Sequence, residues 1–200
     1  MQVLVVTPME EEKRAFKDAL SSLKIEEPRF KVIQTGIGKV AAASEVAVHL
    51  ASSLYDCVVV TGYAAATANF KQGDVVICSK TRYSDIFVPE NIKLEHDKEF
   101  NLLSPMDGPI IFTSDSFVEK RDVRPIIERF SVEQALFDME CAAVADVCED
   151  SNVPVICVKM ISDLPETQTP QTFNEFVEGN LDFTEILEKI LVLLSMVDDT

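Results

Sequence analysis

Three apolar runs govern what this chain can fold into: VLVV at residues 3–6, CVVV at 57–60 and VICVKMI at 155–161, the last interrupted only by Lys159. A strand with one wet face alternates apolar and polar residues, whereas a strand covered on both faces is apolar throughout. Such runs belong to a parallel or mixed sheet enclosed by helices. The third run stops abruptly at Ser162-Asp163. Ligands of open α/β sheets sit beyond the carboxyl ends of the strands, so a carboxylate delivered there is a candidate for chemistry. Before Leu-Pro, Ser-Asp is also ordinary turn chemistry, and for this segment alone the turn is the simpler account.

The sequence between these runs carries helix and turn signals. Pro8 breaks the first strand, and Glu10-Glu11-Glu12 opens a helix to about Leu23, where the helix dipole favours acidic residues in the first turn. Residues 29–35 predict a second strand, Gly36-Ile37-Gly38-Lys39 a glycine turn, and 40–53 an alanine-rich helix. The run at 57–61 is expected to end at Gly62. Further strands are expected at 74–78, 109–113 and 134–137, with helices at 119–130 and from Asp138-Met139-Glu140 through Cys148. Residues 80–106 read as a long irregular loop with room for one strand. Residues 172–197 carry apolar side chains at helical spacing, and Gly179-Asn180 is a point of interruption. A dinucleotide fingerprint needs a third glycine where this chain has Ala41, so no Rossmann cofactor site is expected. Strands alternating with helices predict an α/β fold.

Two hundred residues, 47% of them hydrophobic, suit one domain spanning 1–200. A formal charge of −16 repels phosphate backbones and anionic lipids, so neither nucleic acid nor a membrane surface is expected as a partner. Five scattered cysteines without a CxxC pair read as buried thiols in a reducing compartment. His49 and His96 stand apart from other candidate ligands, so no metal site is expected. Met1 leads directly into a strand, and the expected location is the cytoplasm.

Taken in order, TPMEEE, TGIGKVAAA, VVVTG, FKQGDVVI, TRYSD, SDSF, DMECAAVADVC, NVPVICVKMISD and TFNEF resemble the nucleoside phosphorylase/nucleosidase superfamily. Within it, the 5′-methylthioadenosine/S-adenosylhomocysteine nucleosidases are the most similar. The resemblance covers nearly the whole chain and implies a three-layer α/β/α sandwich around a twisted mixed sheet. It also implies cleavage of a purine N-ribosidic bond without a cofactor. On that basis Asp163 is expected to protonate the purine N7, and Glu12 to activate the attacking water. Glu140, beside Met139, is expected to hold the ribose hydroxyls. Phe117 and Val118 would grip the base, Ser162 would steady the acid, and Phe173 would close over the 5′ substituent. Glycosidic cleavage generally requires two such carboxyl groups, one as acid and one as base. Without the resemblance, Glu12 and Glu140 are helix N-terminal acids, and Phe117 and Phe173 are core residues.

Three departures bear on this expectation. Tyr63-Ala64-Ala65-Ala66 replaces the Ser-Ala-Gly-Gly run usual after the third strand, narrowing the nucleophile site, although Tyr63 packing outward is a simpler account. Lys159 stands where an arginine is usual, in the network expected near Glu12. The chain is shortened between Val88 and Pro109, a region that the resemblance assigns to the 5′ pocket and a homodimer interface. Futalosine or aminodeoxyfutalosine hydrolysis, a sister activity in menaquinone synthesis, is therefore the alternative. A phosphorylase and a non-catalytic nucleoside-binding protein follow behind.

Overall fold

The computed structural model describes residues 1–87, 98–165 and 170–197. Strands β1 (Gln2–Thr7), β3 (Cys57–Ala66) and β9 (Val155–Asp163) lie parallel with β3 in the middle, and every residue of β3 and β9 is buried. β2 (Arg29–Gln34) extends the sheet in parallel beyond β1, while β4 (Val75–Cys78) runs antiparallel along β9. The register of β3 against β9 shifts between Ala64 and Ala65. There the strand also takes β8 (Ala135–Asp138) as an antiparallel neighbour, through Ala65 and Ala66. From β8 the sheet continues in parallel through β7 (Ile110–Thr113) and β5 (Lys80–Tyr83) to the antiparallel edge strand β6 (Phe100–Asn101). The described strands thus form one mixed sheet.

Alternate residues of the central strands feed two separate cores. Val3, Val5, Cys57 and Val59 pack with Phe16 of α1 (Glu10–Ser22) and with Ile186, Leu187 and Ile190 of α6 (Thr184–Leu194). Leu4, Val6, Val58 and Val60 pack instead with Val46 of α2 (Lys39–Ser52) and Ala142 and Val144 of α4 (Cys141–Asp150). A strand directs successive side chains to opposite faces, so this split places helices on both sides of the sheet. The architecture is the three-layer α/β/α sandwich expected. α3 (Lys120–Phe130) lies over Phe112 and Phe137, and α5 (Pro170–Gly179) lies against β9. Among the described residues no helix is long and apolar enough to cross a membrane.

Several boundaries differ from the sequence reading. β3 does not end at Gly62 but runs on to Ala66, so Tyr63 to Ala66 are strand rather than loop. Gly62 sits inside that strand at φ +128°, a conformation open to glycine. Asp138 closes β8 and Glu140 is the N-cap of α4, so neither belongs to the helix they were expected to open. The segment read as an irregular loop contains both β5 and β6. Residues 88–97, which carry much of the shortened loop, fall outside the described residues. The interruption at Gly179-Asn180 is present, with α6 beginning at Thr184.

Candidate active site

The ends of β1, β8 and β9 and the second half of β3 surround one cavity of about 130 Å³. Nine of the ten candidate residues line it: Glu12, Tyr63, Phe117, Val118, Met139, Glu140, Ser162, Asp163 and Phe173. Lys159 is the exception.

Glu12 is the third residue of α1, and the helix start fixes its carboxylate. Its Oε2 accepts the N–H of Met9 at 2.8 Å, closing a capping box, while Oε1 accepts the N–H of Tyr63 at 2.9 Å. Glu10 and Glu11 remain exposed on the same turn. A side chain at position 62 would collide with the Glu12 carboxylate, so both the space and the positive φ require Gly62. Glu12 is almost fully buried, and burial pushes its pKa up to about 7 against the opposing charge of Lys159 and the two N–H donors.

Glu140 reaches across to the glycine turn. Its Oε1 accepts the N–H of Gly38 at 2.9 Å, and its Oε2 accepts that of Met139 at 3.3 Å. Burial and the neighbouring Asp138 raise its pKa. Asp163 closes β9, and its Oδ1 accepts a hydrogen bond of 2.7 Å from the Ser162 hydroxyl. The same hydroxyl faces the Ala64 carbonyl at 3.2 Å. Burial raises the Asp163 pKa, while the Ser162 hydrogen bond works against that rise. Burial, and not the tie to Ser162, is therefore what favours a proton on Asp163.

Lys159 does not reach the cavity. It is completely buried, with Nζ 3.1 Å from Asp138 Oδ2 and no hydrogen bond of good geometry. A strand alternates its faces, and Lys159 shares that of Cys157 and Ile161, where it meets Asp138 at the end of β8 instead of opening onto the cavity. Burial opposes its charge, but Asp138, Cys157 and Glu140 outweigh that effect and hold the ammonium protonated. Asp138, passed over in the sequence as a helix opener, is thus a central element of the site. It lines the cavity, accepts a 2.6 Å hydrogen bond from the Thr113 hydroxyl and accepts the Cys141 N–H at 3.0 Å.

The sequence model of the Phosphorylase superfamily matches residues 105–194. The 5′-methylthioadenosine/S-adenosylhomocysteine nucleosidase of Colwellia psychrerythraea is 31% identical over 175 residues, covering 74% of this chain and 72% of that protein. Its counterpart from Haemophilus influenzae is 33% identical, covering 77% and 76%. The chain belongs to the 5′-methylthioadenosine/S-adenosylhomocysteine nucleosidase family. Solved structures of such nucleosidases share its fold. That of the Colwellia enzyme in complex with adenine has a TM-score of 0.75 at 28% identity over 90% of both chains. That of the Helicobacter pylori enzyme with butyl-thio-DADMe-Immucillin-A has a TM-score of 0.80 at 18% identity, over 100% of this chain and 99% of that one.

Within this nucleosidase fold, the remaining cavity wall is apolar and aromatic but for Ser116. Pro8, Met9, Ile37, Ala64, Ala65, Ser116 and Phe137 complete it, and of these the sequence reading had tied only Ala64 and Ala65 to the site. Phe117 and Phe173 meet edge to face, their centroids 5.8 Å apart. Among the described residues the ionisable groups on the wall are Glu12, Tyr63, Asp138, Glu140 and Asp163, with no lysine, arginine or histidine.

Proposed function

We propose that this chain hydrolyses the N-ribosidic bond of 5′-substituted purine nucleosides of the methylthioadenosine and S-adenosylhomocysteine type. The observation that carries the reading is the convergence of Glu12 and Asp163, 151 positions apart (163 − 12), as buried carboxyl groups on one cavity. Asp163 protonates the purine at N7, so that the base departs neutral while positive charge builds on the ribose ring. Glu12 takes a proton from the water that attacks the anomeric carbon. A base with a pKa near the working pH combines a useful ionised fraction with a real drive to accept the proton. Glu140 accepts hydrogen bonds from the ribose hydroxyls, with Met139 beside it. Phe117 and Val118 hold the base, Phe173 covers the 5′ side, and Ser162 orients Asp163.

The charge of the wall favours this reading over its alternatives. A futalosine-type substrate brings a carboxylate on its 5′ tail, and a phosphorylase brings phosphate. Either anion meets a described wall that carries carboxyl groups and no cation. The 5′-methylthio group of methylthioadenosine is neutral and meets Met9, Ile37, Phe117 and Phe173 instead, and the homocysteine tail of S-adenosylhomocysteine pairs its carboxylate with an ammonium and so brings no net charge. A homodimer, whose partner contributes near Val88, belongs to the same proposal, and light scattering at assay concentration measures it. The test of the activity is release of base from methylthioadenosine, S-adenosylhomocysteine and a futalosine-type nucleoside, with and without phosphate. Phosphate-independent release from the first two is expected. Release only from the futalosine-type compound would replace this reading, and tight nucleoside binding without release would make the chain a binding protein.

A further inference from the structure

Tyr63 touches both halves of the site by different parts of itself. Its main-chain N–H holds Glu12 Oε1, while its hydroxyl donates a 2.5 Å hydrogen bond to the carbonyl oxygen of Asn180, just past the end of α5. The Asn180 side chain in turn donates to the Phe176 carbonyl at 2.9 Å, so the phenol grips the residue that closes the helix. The ring meets Phe173, Phe176 and Phe183 edge to face, at centroid distances of 6.3, 6.1 and 5.4 Å. Phe173 also contacts Phe117, so an aromatic chain runs from β3 across α5 to the opposite cavity wall. Burial and the nearby Glu12 and Glu11 raise the pKa of the phenol, which keeps its proton for Asn180.

We propose that Tyr63 is a positioning and specificity-determining residue, fixing α5 so that Phe173 stands as a preformed wall over the 5′ side of the cavity. Its kinetic consequences rest on the nucleosidase reading, but its structural content does not. A serine here would keep the main-chain hold on Glu12 and lose the hydrogen bond and all three ring contacts with α5 and its exit. Binding a nucleoside would then include the cost of ordering Phe173, which Tyr63 removes by holding it in place beforehand. The effect falls on binding and on selection at the 5′ end, not on Glu12.

Two measurements separate this from a general packing role. In the first, Tyr63→Phe keeps the ring and the main chain but loses the hydroxyl. One neutral hydrogen bond corresponds to about a fivefold rise in KM, with kcat falling less than about threefold. Tyr63→Ser is expected to raise KM further and to flatten discrimination between 5′-methylthio and longer 5′-alkylthio nucleosides. In a Phe173→Ala background Tyr63→Phe is expected to add less than about twofold, because the two residues act in series. A fall in kcat at constant KM, or an undiminished rise in KM without Phe173, would overturn the proposal. The second measurement needs no turnover. The chain has no tryptophan, so Phe173→Trp reports on the wall alone, and adding Tyr63→Phe is expected to shift its emission to the red. Unchanged emission would overturn the positioning role. Absence of base release by the wild type would instead overturn the activity and leave the emission result to judge Tyr63.

Discussion

The two carboxyl groups Glu12 and Asp163 on the cavity wall are both almost excluded from solvent yet held by different chemistry. Glu12 accepts two main-chain N–H groups and feels the positive charge of Lys159, whereas Asp163 has one hydroxyl and no cation among the causes acting on its pKa. N–H donors and a cation both favour a carboxylate. Glu12 is therefore buried with compensation that keeps it able to ionise, as a base must be. Asp163 has only the Ser162 hydroxyl opposing the rise that burial imposes on its pKa, the direction an acid needs. Exclusion from solvent thus yields two roles because the donors differ.

The sharpest way to break this comparison is to remove each carboxyl group in turn. Asp163→Asn and Glu12→Gln are each expected to lower kcat about 10²–10⁴-fold on a purine nucleoside. A riboside whose leaving group departs without protonation, such as p-nitrophenolate, separates them. Asp163→Asn is expected to recover most of its loss on that substrate, and Glu12→Gln to recover none. Equal recovery by both would remove the distinction between acid and base.

Next in size is Lys159→Met. It leaves Asp138 buried beside Thr113 and Cys141 with no cation, and breaking a buried pair in this way costs about 3–5 kcal/mol. Urea unfolding checks that figure. Because Lys159 lowers the Glu12 pKa, its loss is also expected to move the acidic limb of the rate profile to higher pH. The limb set by the proton on Asp163, under the roles proposed, should stay where it is.

The pH dependence of stability sharpens the same contrast from the Glu12 side. A carboxyl group whose pKa is raised on folding binds its proton more tightly in the folded state, so its stabilising contribution is complete below the unfolded value of 4.5. That contribution is lost as pH rises through about 7. Over that window the loss attributable to Glu12 is on the order of 3 kcal/mol. Glu12→Gln carries no such titration, and the amide's imperfect fit to two N–H donors adds a cost that does not vary with pH. The stability of the variant relative to the wild type is therefore expected to improve between pH 4.5 and 7.5. A parallel pair of stability curves would refute the burial argument.

Much of this site was legible before the fold was known, and the part that was not has a common cause. Asp163 follows from an apolar run that stops at a polar pair, and the α/β layering follows from several such runs. The three glutamates of α1 are harder to separate. Their spacing shows that Glu12 falls at the third helical position, but only the approach of Gly62 from β3 decides that this one is buried. The Lys159–Asp138 pair was invisible because it joins the middle of β9 to the end of β8, two strands that flank β3 and do not pair with each other, and no local pattern encodes which way a lone buried lysine turns. The extension of β3 was hidden for a related reason. Glycine followed by Tyr-Ala-Ala-Ala has weak strand propensity, and burial against β9, β8 and the aromatic chain overrides it. KTRY reads as loop by its charge, yet Thr81 and Tyr83 alternate inward against β7.

The smallest effect tests the weakest support in the comparison. Ser162→Ala removes the hydroxyl that donates to Asp163 and leaves the strand, the burial and the Glu12 side untouched. A single hydrogen bond to a charged acceptor is worth about 1.5–3 kcal/mol, but here it is offset because the bond stabilises the carboxylate, the form that cannot donate a proton. Two consequences therefore oppose each other. Asp163 loses an orienting contact, which slows the reaction, and it holds its proton to higher pH, which keeps the acid form present longer. The expected result is a kcat reduced less than about tenfold, with the limb of the rate profile set by the proton on Asp163 displaced upward and the limb set by Glu12 unmoved. If the Asp163 limb moved downward instead, Ser162 would be sustaining the protonated acid rather than the carboxylate, and the contrast between Glu12 and Asp163 would need to be redrawn around that hydroxyl.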